Sequence, residues 1–192
     1  PDVNNIRAKV QTYALEMSNS DNTSIRNINF YGTTIKATNS DNIAIQDCVF
    51  LYASCYAHML NQINYGSYFN KYVDETFNSQ TNLKNCNNSV IEKCVFKYTD
   101  GNALEMSGHN NVLDNSFFYY IDKTVCNLSS VMTAIRLNGN YNIIRNNTIT
   151  KTGASSTINP GNNSIIEYND LSESGYLQSD GAMIHCMVNQ QT

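Results

Sequence analysis

Six short segments of the chain carry, at one equivalent position, a side chain capable of acid–base, ionic or hydrogen-bonding chemistry. These residues are Glu16, Lys36, Glu105, Arg136, Asn159 and His185. Amines, imidazoles and carboxylates can transfer protons, and a guanidinium can neutralise a carboxylate on a substrate. Such residues act together only where the fold brings their segments side by side.

The chain repeats a pattern that would do this. A polar turn containing Asn is followed by an aliphatic residue and, five positions later, by a large apolar residue. The aliphatic positions are Ile25, Ile45, Ile91, Leu113, Ile144 and Ile166, and the distal ones are Phe30, Phe50, Phe96, Phe118, Ile149 and Leu171. Successive aliphatic positions are 20, 46, 22, 31 and 22 residues apart. A basic period of 20 to 22 residues with insertions is typical of a solenoid.

Each repeat also contains a second short strand, and the six residues lie on these strands. The segments are ALEM 14–17, TIKA 34–37, ALEM 103–106, AIRL 134–137, TINP 157–160 and MIHC 183–186. Alternation turns one side chain outward between two apolar ones. Because adjacent parallel strands lie about 4.8 Å apart, the outward side chains should form a continuous polar stripe. If YAHML 56–60 is the strand of the extra coil in the 46-residue interval, His58 joins the stripe.

The strands are short and contain β-branched and aromatic residues, and no apolar residues recur at helical spacing over a long window. The pattern resembles the right-handed parallel β-helix repeat of the pectin-lyase-like superfamily from about residue 13 onward. The expected fold is all-β, a right-handed parallel β-helix with loop insertions on one edge. We expect residues 1–192 to form a single β-helix segment, and the coil begun at 180–192 favours a longer solenoid.

Turn and cysteine positions follow the same register. Asn22, Asn42, Asn88, Asn110 and Asn163 fall at equivalent turns, where Asn tolerates left-handed backbone. The six cysteines lack zinc-site spacing and are interpreted as mainly buried thiols. Cys48 and Cys94 share one inward register, and the sequence leaves open whether they pair. His109, beside Asn110, is interpreted as an exposed turn residue.

Insertions at about 55–83, 119–131 and 172–180 all follow a distal apolar position and precede a stripe strand. Insertions at one register emerge on one edge of a solenoid, so they should wall a groove beside the stripe. Their tyrosines, which include Tyr56, Tyr120 and Tyr176, can stack on sugars and donate hydrogen bonds. Alignment of DGNALEM with DGAMIHC places Asp100 and Asp180 at the turns that lead into the stripe.

Composition excludes some partners. The 12 basic and 16 acidic residues give a net charge of −4 without a basic cluster, which argues against nucleic acid and anionic membranes. The longest apolar runs are too short to span a bilayer. We expect a monomer that binds polysaccharide and works outside the cytoplasm, secreted or at the cell surface, because that is where the substrate occurs.

The resemblance implies a polysaccharide substrate, and an acidic one would suit β-elimination. In that mechanism Lys36 or His58 is the base, Arg136 neutralises the substrate carboxylate, and His185 or a tyrosine protonates the leaving oxygen. Glu16, Asn159, Asp100, Asp180 and the three tyrosines would bind substrate. Related β-helix lyases often use calcium, for which Glu105 and Asp100 are candidate ligands, although no dense metal motif is present.

Two alternatives stay open. A glycoside hydrolase would need two carboxyl groups about 5–9.5 Å apart, such as Glu105 with Asp100 or Asp180. A non-catalytic glycan-binding or structural β-helix would use Glu16 with Lys36, and Glu105 with Arg136, only as cross-strand ion pairs. Fold alone does not imply activity.

Overall fold

The computed structural model of the protein describes residues 12–54, 80–123, 133–153, 156–177 and 181–186. Within these ranges the chain forms 18 short strands, numbered β1 to β18 in chain order. Each coil contributes three consecutive strands, one to each of three six-stranded sheets. All strand pairings are parallel and join strands of successive coils. The expected all-β fold, a right-handed parallel β-helix, is therefore confirmed.

The three sheets form the three faces of the solenoid. Sheet A contains β1 (Tyr13–Ser18), β4 (Thr34–Thr38), β7 (Thr81–Lys84), β10 (Leu104–His109), β13 (Thr133–Asn140) and β16 (Ser156–Asn159). Sheet B contains β2 (Ser24–Arg26), β5 (Ala44–Gln46), β8 (Val90–Glu92), β11 (Val112–Asp114), β14 (Ile143–Arg145) and β17 (Ile165–Glu167). Sheet C contains β3 (Asn29–Tyr31), β6 (Val49–Leu51), β9 (Val95–Lys97), β12 (Phe117–Ile121), β15 (Thr148–Thr152) and β18 (Asp170–Ser172).

The core lies between the three sheets, and within it similar side chains of successive coils stack on one another. Ile25, Ile45 and Ile91 are aligned in register on sheet B, with Leu113, Ile144 and Ile166 continuing the same row. On sheet C, the rings of Phe30, Phe50, Phe96 and Phe118 stack nearly parallel, with successive centroids 4.8, 4.6 and 4.7 Å apart. Each buried ring thus gains both removal from water and contact with its stacked neighbours.

The turns confirm the asparagine interpretation. Asn22, Asn42, Asn88, Asn110 and Asn163 all adopt left-handed backbone, with φ between 50° and 58°. Their side chains also connect coils, because Asn42 Nδ2 donates to Asn22 Oδ1 at 3.1 Å. The turns therefore carry the chain from one sheet to the next and link successive coils. His109 is exposed, as expected.

The three described core thiols are free. Cys48, Cys86 and Cys94 are buried without a disulfide, whereas Cys186 is exposed. Burial raises the pKa of the Cys94 thiol to about 12, and burial also raises the pKa of Cys86. Cys48 and Cys94 occupy the shared inward register that the sequence predicted, as separate thiols. Cys55 and Cys126 lie outside the described residues.

Truncation of Phe96 to Ala should lower the free energy of unfolding by about 3–5 kcal/mol, because a fully buried ring is lost from the middle of the stack. Urea denaturation monitored by circular dichroism measures the change. Phe117→Ala is the matched control, since Phe117 points outward from the same sheet and is only half-buried. Equal losses in the two variants would contradict the assignment of Phe96 to the core.

Alkylation should distinguish Cys94 from Cys186. The thiolate is the reactive form. With a pKa of about 12, the Cys94 thiol is almost wholly protonated at pH 8 and is also buried, so iodoacetamide should leave it unmodified in the folded protein. The exposed Cys186 should react under the same conditions. Peptide mass spectrometry with and without urea measures both sites, and comparable labelling of the two in the folded protein would disprove the burial of Cys94.

Candidate functional site

The outer face of sheet A aligns polar side chains in one row along the solenoid, which we call the polar column. Its members in order are Glu16, Lys36, Asn82, Glu105, Arg136 and Asn159. Ile184 bridges Ile158, and the backbone N–H of His185 donates to the Ile158 carbonyl at 2.9 Å. His185 thus follows Asn159 at the end of the column. This is the register that the repeat alignment predicts for these residues.

One coil differs from the sequence expectation. The strand between Lys36 and Glu105 is β7, so Asn82 stands where His58 was expected. The prediction that segment 56–60 supplies this strand is therefore corrected, and His58 itself lies outside the described residues. A signal was present in the sequence, because Asn82 precedes Ile91 by nine residues, as Lys36 precedes Ile45.

Glu16 and Lys36 form an ion pair at one end of the column. Lys36 Nζ lies 3.1 Å from Glu16 Oε1, and the two side chains are 27% and 61% exposed. The same ammonium lies 5.5 Å from the centre of the Tyr13 ring. An exposed cross-strand pair of this kind contributes about 0–1 kcal/mol. It is the arrangement of an ordinary solvated sheet, as one of the alternatives predicted.

Glu105 and Arg136 are also register neighbours, but they do not pair. The Glu105 carboxylate accepts hydrogen bonds from Gln80 Nε2 at 2.9 Å and from Asn138 Nδ2 at 3.3 Å. Among the described residues, Arg136 forms no ion pair within 4.0 Å. Two neutral amides therefore hold the carboxylate in place, and the guanidinium keeps its donors. Sequence reasoning missed Gln80 and Asn138, whose positions beside Glu105 follow only from the register.

The same two coils offer a direct comparison on sheet B. Asp114 and Arg145 are register neighbours there, and Arg145 Nε donates to Asp114 Oδ2 at 2.8 Å. Although partial burial opposes ionisation, hydrogen bonds from Asn146 and Arg145 lower the pKa of Asp114. A carboxylate and a guanidinium on neighbouring strands of these two coils can therefore form a direct ion pair. On sheet A, Glu105 and Arg136 form no such pair, because the Glu105 carboxylate accepts hydrogen bonds from Gln80 and Asn138 instead. We call this arrangement the open pair.

Unpaired polar atoms accompany the open pair. Asn159, next to Arg136 in the column, is only 3% exposed, and its Oδ1 has no hydrogen-bond partner in the described structure. Thr133 Oγ1 and Ser156 Oγ, on register partners at the start of the same two strands, are likewise buried without partners. Each such atom costs about 1–3 kcal/mol unless something satisfies it. The region around Arg136 and Asn159 thus has unused hydrogen-bonding capacity.

The other predicted residues are less close to this region. Asp100 is half-buried in the turn that precedes β10, as expected from the alignment. Tyr120 lies within β12 in left-handed backbone, and Tyr176 is 62% exposed after the last strand. Asp180 and Tyr56 lie outside the described residues. Where residues are described, no group of three or more His, Cys, Asp or Glu side chains could hold a metal ion.

Comparison with known proteins supports the fold. No family model and no curated protein matches the chain. A protein from Parabacteroides merdae that is provisionally assigned as a glycosyl hydrolase superposes with a TM-score of 0.51 at 12% identity, over 88% of this chain and 80% of that one. At this identity the likeness shows the fold alone. The fluoroquinolone resistance protein QnrB1, also 12% identical with coverages of 92% and 93%, has a TM-score of 0.19, too low to support an argument. In the described part of the chain, no helix is long and apolar enough to cross a membrane.

Replacement of Thr133 by Val should raise the free energy of unfolding by about 1 kcal/mol, because it removes a buried hydroxyl without a partner. Thr34→Val is the matched control. The Thr34 hydroxyl is equally buried but lies 2.6 Å from the Thr81 hydroxyl, so this variant should lose about 1 kcal/mol. Urea denaturation measures both, and equal losses would mean that Thr133 has a partner in the folded protein.

Proposed function

We propose that the polar column binds an extended acidic polysaccharide and cleaves it by β-elimination, as a member of the pectin-lyase-like superfamily. The open Glu105 and Arg136 pair carries the proposal. A guanidinium that is not neutralised by its own carboxylate can bind a carboxylate of the ligand through two parallel hydrogen bonds.

The linear arrangement suits a polymer. Side chains of the column repeat at about 4.8 Å, so successive positions can meet successive groups of one chain that lies along the sheet. Three coils separate Lys36 from Arg136, a distance of about 14 Å between their backbones. A base must reach the proton that it removes. Lys36 is therefore better suited to hold a carboxylate on a remote sugar than to act where Arg136 binds.

Glu105 is the base in this proposal. It lies one coil from Arg136, and Gln80 and Asn138 orient its carboxylate. Arg136 neutralises the uronate carboxylate, which makes the hydrogen on the adjacent carbon more acidic. Glu105 takes that proton, the electron pair forms a carbon–carbon double bond, and the bond to the leaving sugar oxygen breaks. The oxygen then receives a proton from water, because His185 lies three coils from Glu105, about 14 Å between their backbones.

Glu105→Gln should lower turnover at least about 100-fold, the low end of the usual contribution of a general base. Arg136→Gln should weaken substrate binding and turnover together. Glu167→Gln, which removes a carboxylate from sheet B instead, should leave turnover nearly unchanged. The measurement uses alginate and polygalacturonate, with ultraviolet absorbance of the unsaturated product and reducing ends followed in the same samples.

The two readouts separate the alternatives. Absorbance that rises with new reducing ends supports elimination. New ends without absorbance would replace it with hydrolysis by Glu105 and a second carboxyl group such as Asp100. Absence of both signals with every substrate would leave a non-catalytic glycan-binding or structural β-helix. Secretion and a monomeric state remain part of the proposal.

A further inference from the structure

A second surface, on sheet C and the turn that follows it, combines aromatic rings with cations. We call it the aromatic surface, and its members are Tyr31, Tyr52, Tyr98, Phe117, Tyr119, Tyr120, Lys97, Lys123 and Lys151. Tyr52 and Tyr98 stack with centroids 5.4 Å apart, and Tyr98 and Tyr120 stack at 6.1 Å. Tyr31 meets Tyr52 edge to face at 5.5 Å. The rings thus form one connected network over four coils.

Backbone geometry is unusual at the position that follows the third residue of each sheet C strand. Tyr52, Tyr98 and Tyr120 have φ values of 54°, 59° and 53°, in the left-handed region that bulky side chains avoid. The first coil has Gly32 at the equivalent turn, with φ 66°. At the turn before sheet B, the chain uses mostly Asn for the same conformation, because Asn tolerates it. The three tyrosines thus share one register position, where their rings can stack on one another.

Three lysines lie over the rings. Lys97 Nζ is 5.3 Å from the centre of the Phe117 ring, and Lys123 Nζ is 5.3 Å from the Tyr52 ring. Lys151 Nζ lies 5.3 Å from the Tyr120 ring and 4.0 Å from Glu173 Oε2. Within the described part of the chain, Lys97 and Lys123 have no carboxylate partner. Two of the three ammonium groups therefore keep their charge available to an external anion.

The surrounding charge favours an anionic ligand. The five sheet C strands before β18 contain no Asp or Glu, although the whole chain has net charge −4. Sheet B differs, because Asp114 and Glu167 flank Arg145 in register. A ligand with negative charges and flat apolar faces would match both the lysines and the rings.

We infer that the aromatic surface is a second binding site, separate from the polar column, for an anionic polysaccharide. The lysines bind carboxylate or sulfate groups, and the tyrosines contact the sugar rings and their hydroxyls. Such a site would hold the polymer outside the region of cleavage and raise its local concentration at the protein. The inference does not depend on turnover at sheet A.

Affinity electrophoresis tests the site in native gels that contain alginate, chondroitin sulfate or neutral dextran. All proteins carry Glu105→Gln with Arg136→Gln, so that the polar column is disabled without a change in net charge. The parent should be retarded by alginate, by chondroitin sulfate or by both, which identifies the anionic group, and not by dextran. Lys97→Gln with Lys123→Gln should weaken binding about tenfold, as expected for two exposed charge contacts.

The matched control is Arg26→Gln with Lys93→Gln, which makes the same charge change at and beside sheet B and should keep the parent affinity. Tyr98→Asn should weaken binding about fivefold while the turn is preserved, because Asn adopts left-handed backbone readily. Three results would overturn the inference: no retardation of the parent by either anionic polymer, equal weakening by the control pair, or full affinity of Tyr98→Asn. Cleavage by the unmodified protein without such binding would refute this site alone, and binding without cleavage would refute only the proposed elimination.

Discussion

The parallel backbone register between coils is the constraint on which the rest of this molecule depends. Each strand hydrogen-bonds to the strand one coil away, so a residue must lie directly above its equivalent in the preceding coil. A shift of one residue would exchange the inner and outer faces of a strand. Extra residues therefore fall where the register is not needed, between a sheet C strand and the next sheet A strand, as between β6 and β7.

Stacking of like on like has opposite consequences inside and outside the solenoid. In the core it is favourable, because the four phenylalanine rings pack face to face at nearly constant spacing. On the surface, a row of like charges at the same spacing would repel. The outward columns accordingly mix carboxylates, cations and amides. Arg145 is neutralised by Asp114, so this pair stabilises the fold. Arg136 forms no ion pair among the described residues, so its guanidinium is a candidate binding group.

The features that could be predicted from sequence are those that recur at the same position of every repeat. The phenylalanine stack, the left-handed asparagines and the outward register of Lys36 or Arg136 all follow from a period of about 20 residues. The strand β7 was missed because Thr81–Lys84 has a single buried aliphatic side chain, Leu83, and a weak pattern. The open state of Glu105 depends on the side-chain conformations of Gln80 and Asn138, about which periodicity says nothing. The requirement for glycine at position 139 also depends on the three-dimensional structure, because a Cβ there would lie 1.9 Å from the Gly108 carbonyl oxygen.

The left-handed positions before sheet B are mostly Asn, but the equivalent positions at the end of sheet C strands are not. Before sheet B, Asn fills most of these positions at little conformational cost, and its side chain links neighbouring coils. After sheet C, Tyr replaces it in three coils, and the rings recover part of the strain by stacking on one another. Stacking alone does not account for the choice, because the rings also support Lys123 and Lys151 beside a sheet whose first five strands contain no Asp or Glu. The same register that aligns the polar column thus aligns a second, chemically different row, so that one repeat positions two surfaces for an extended ligand.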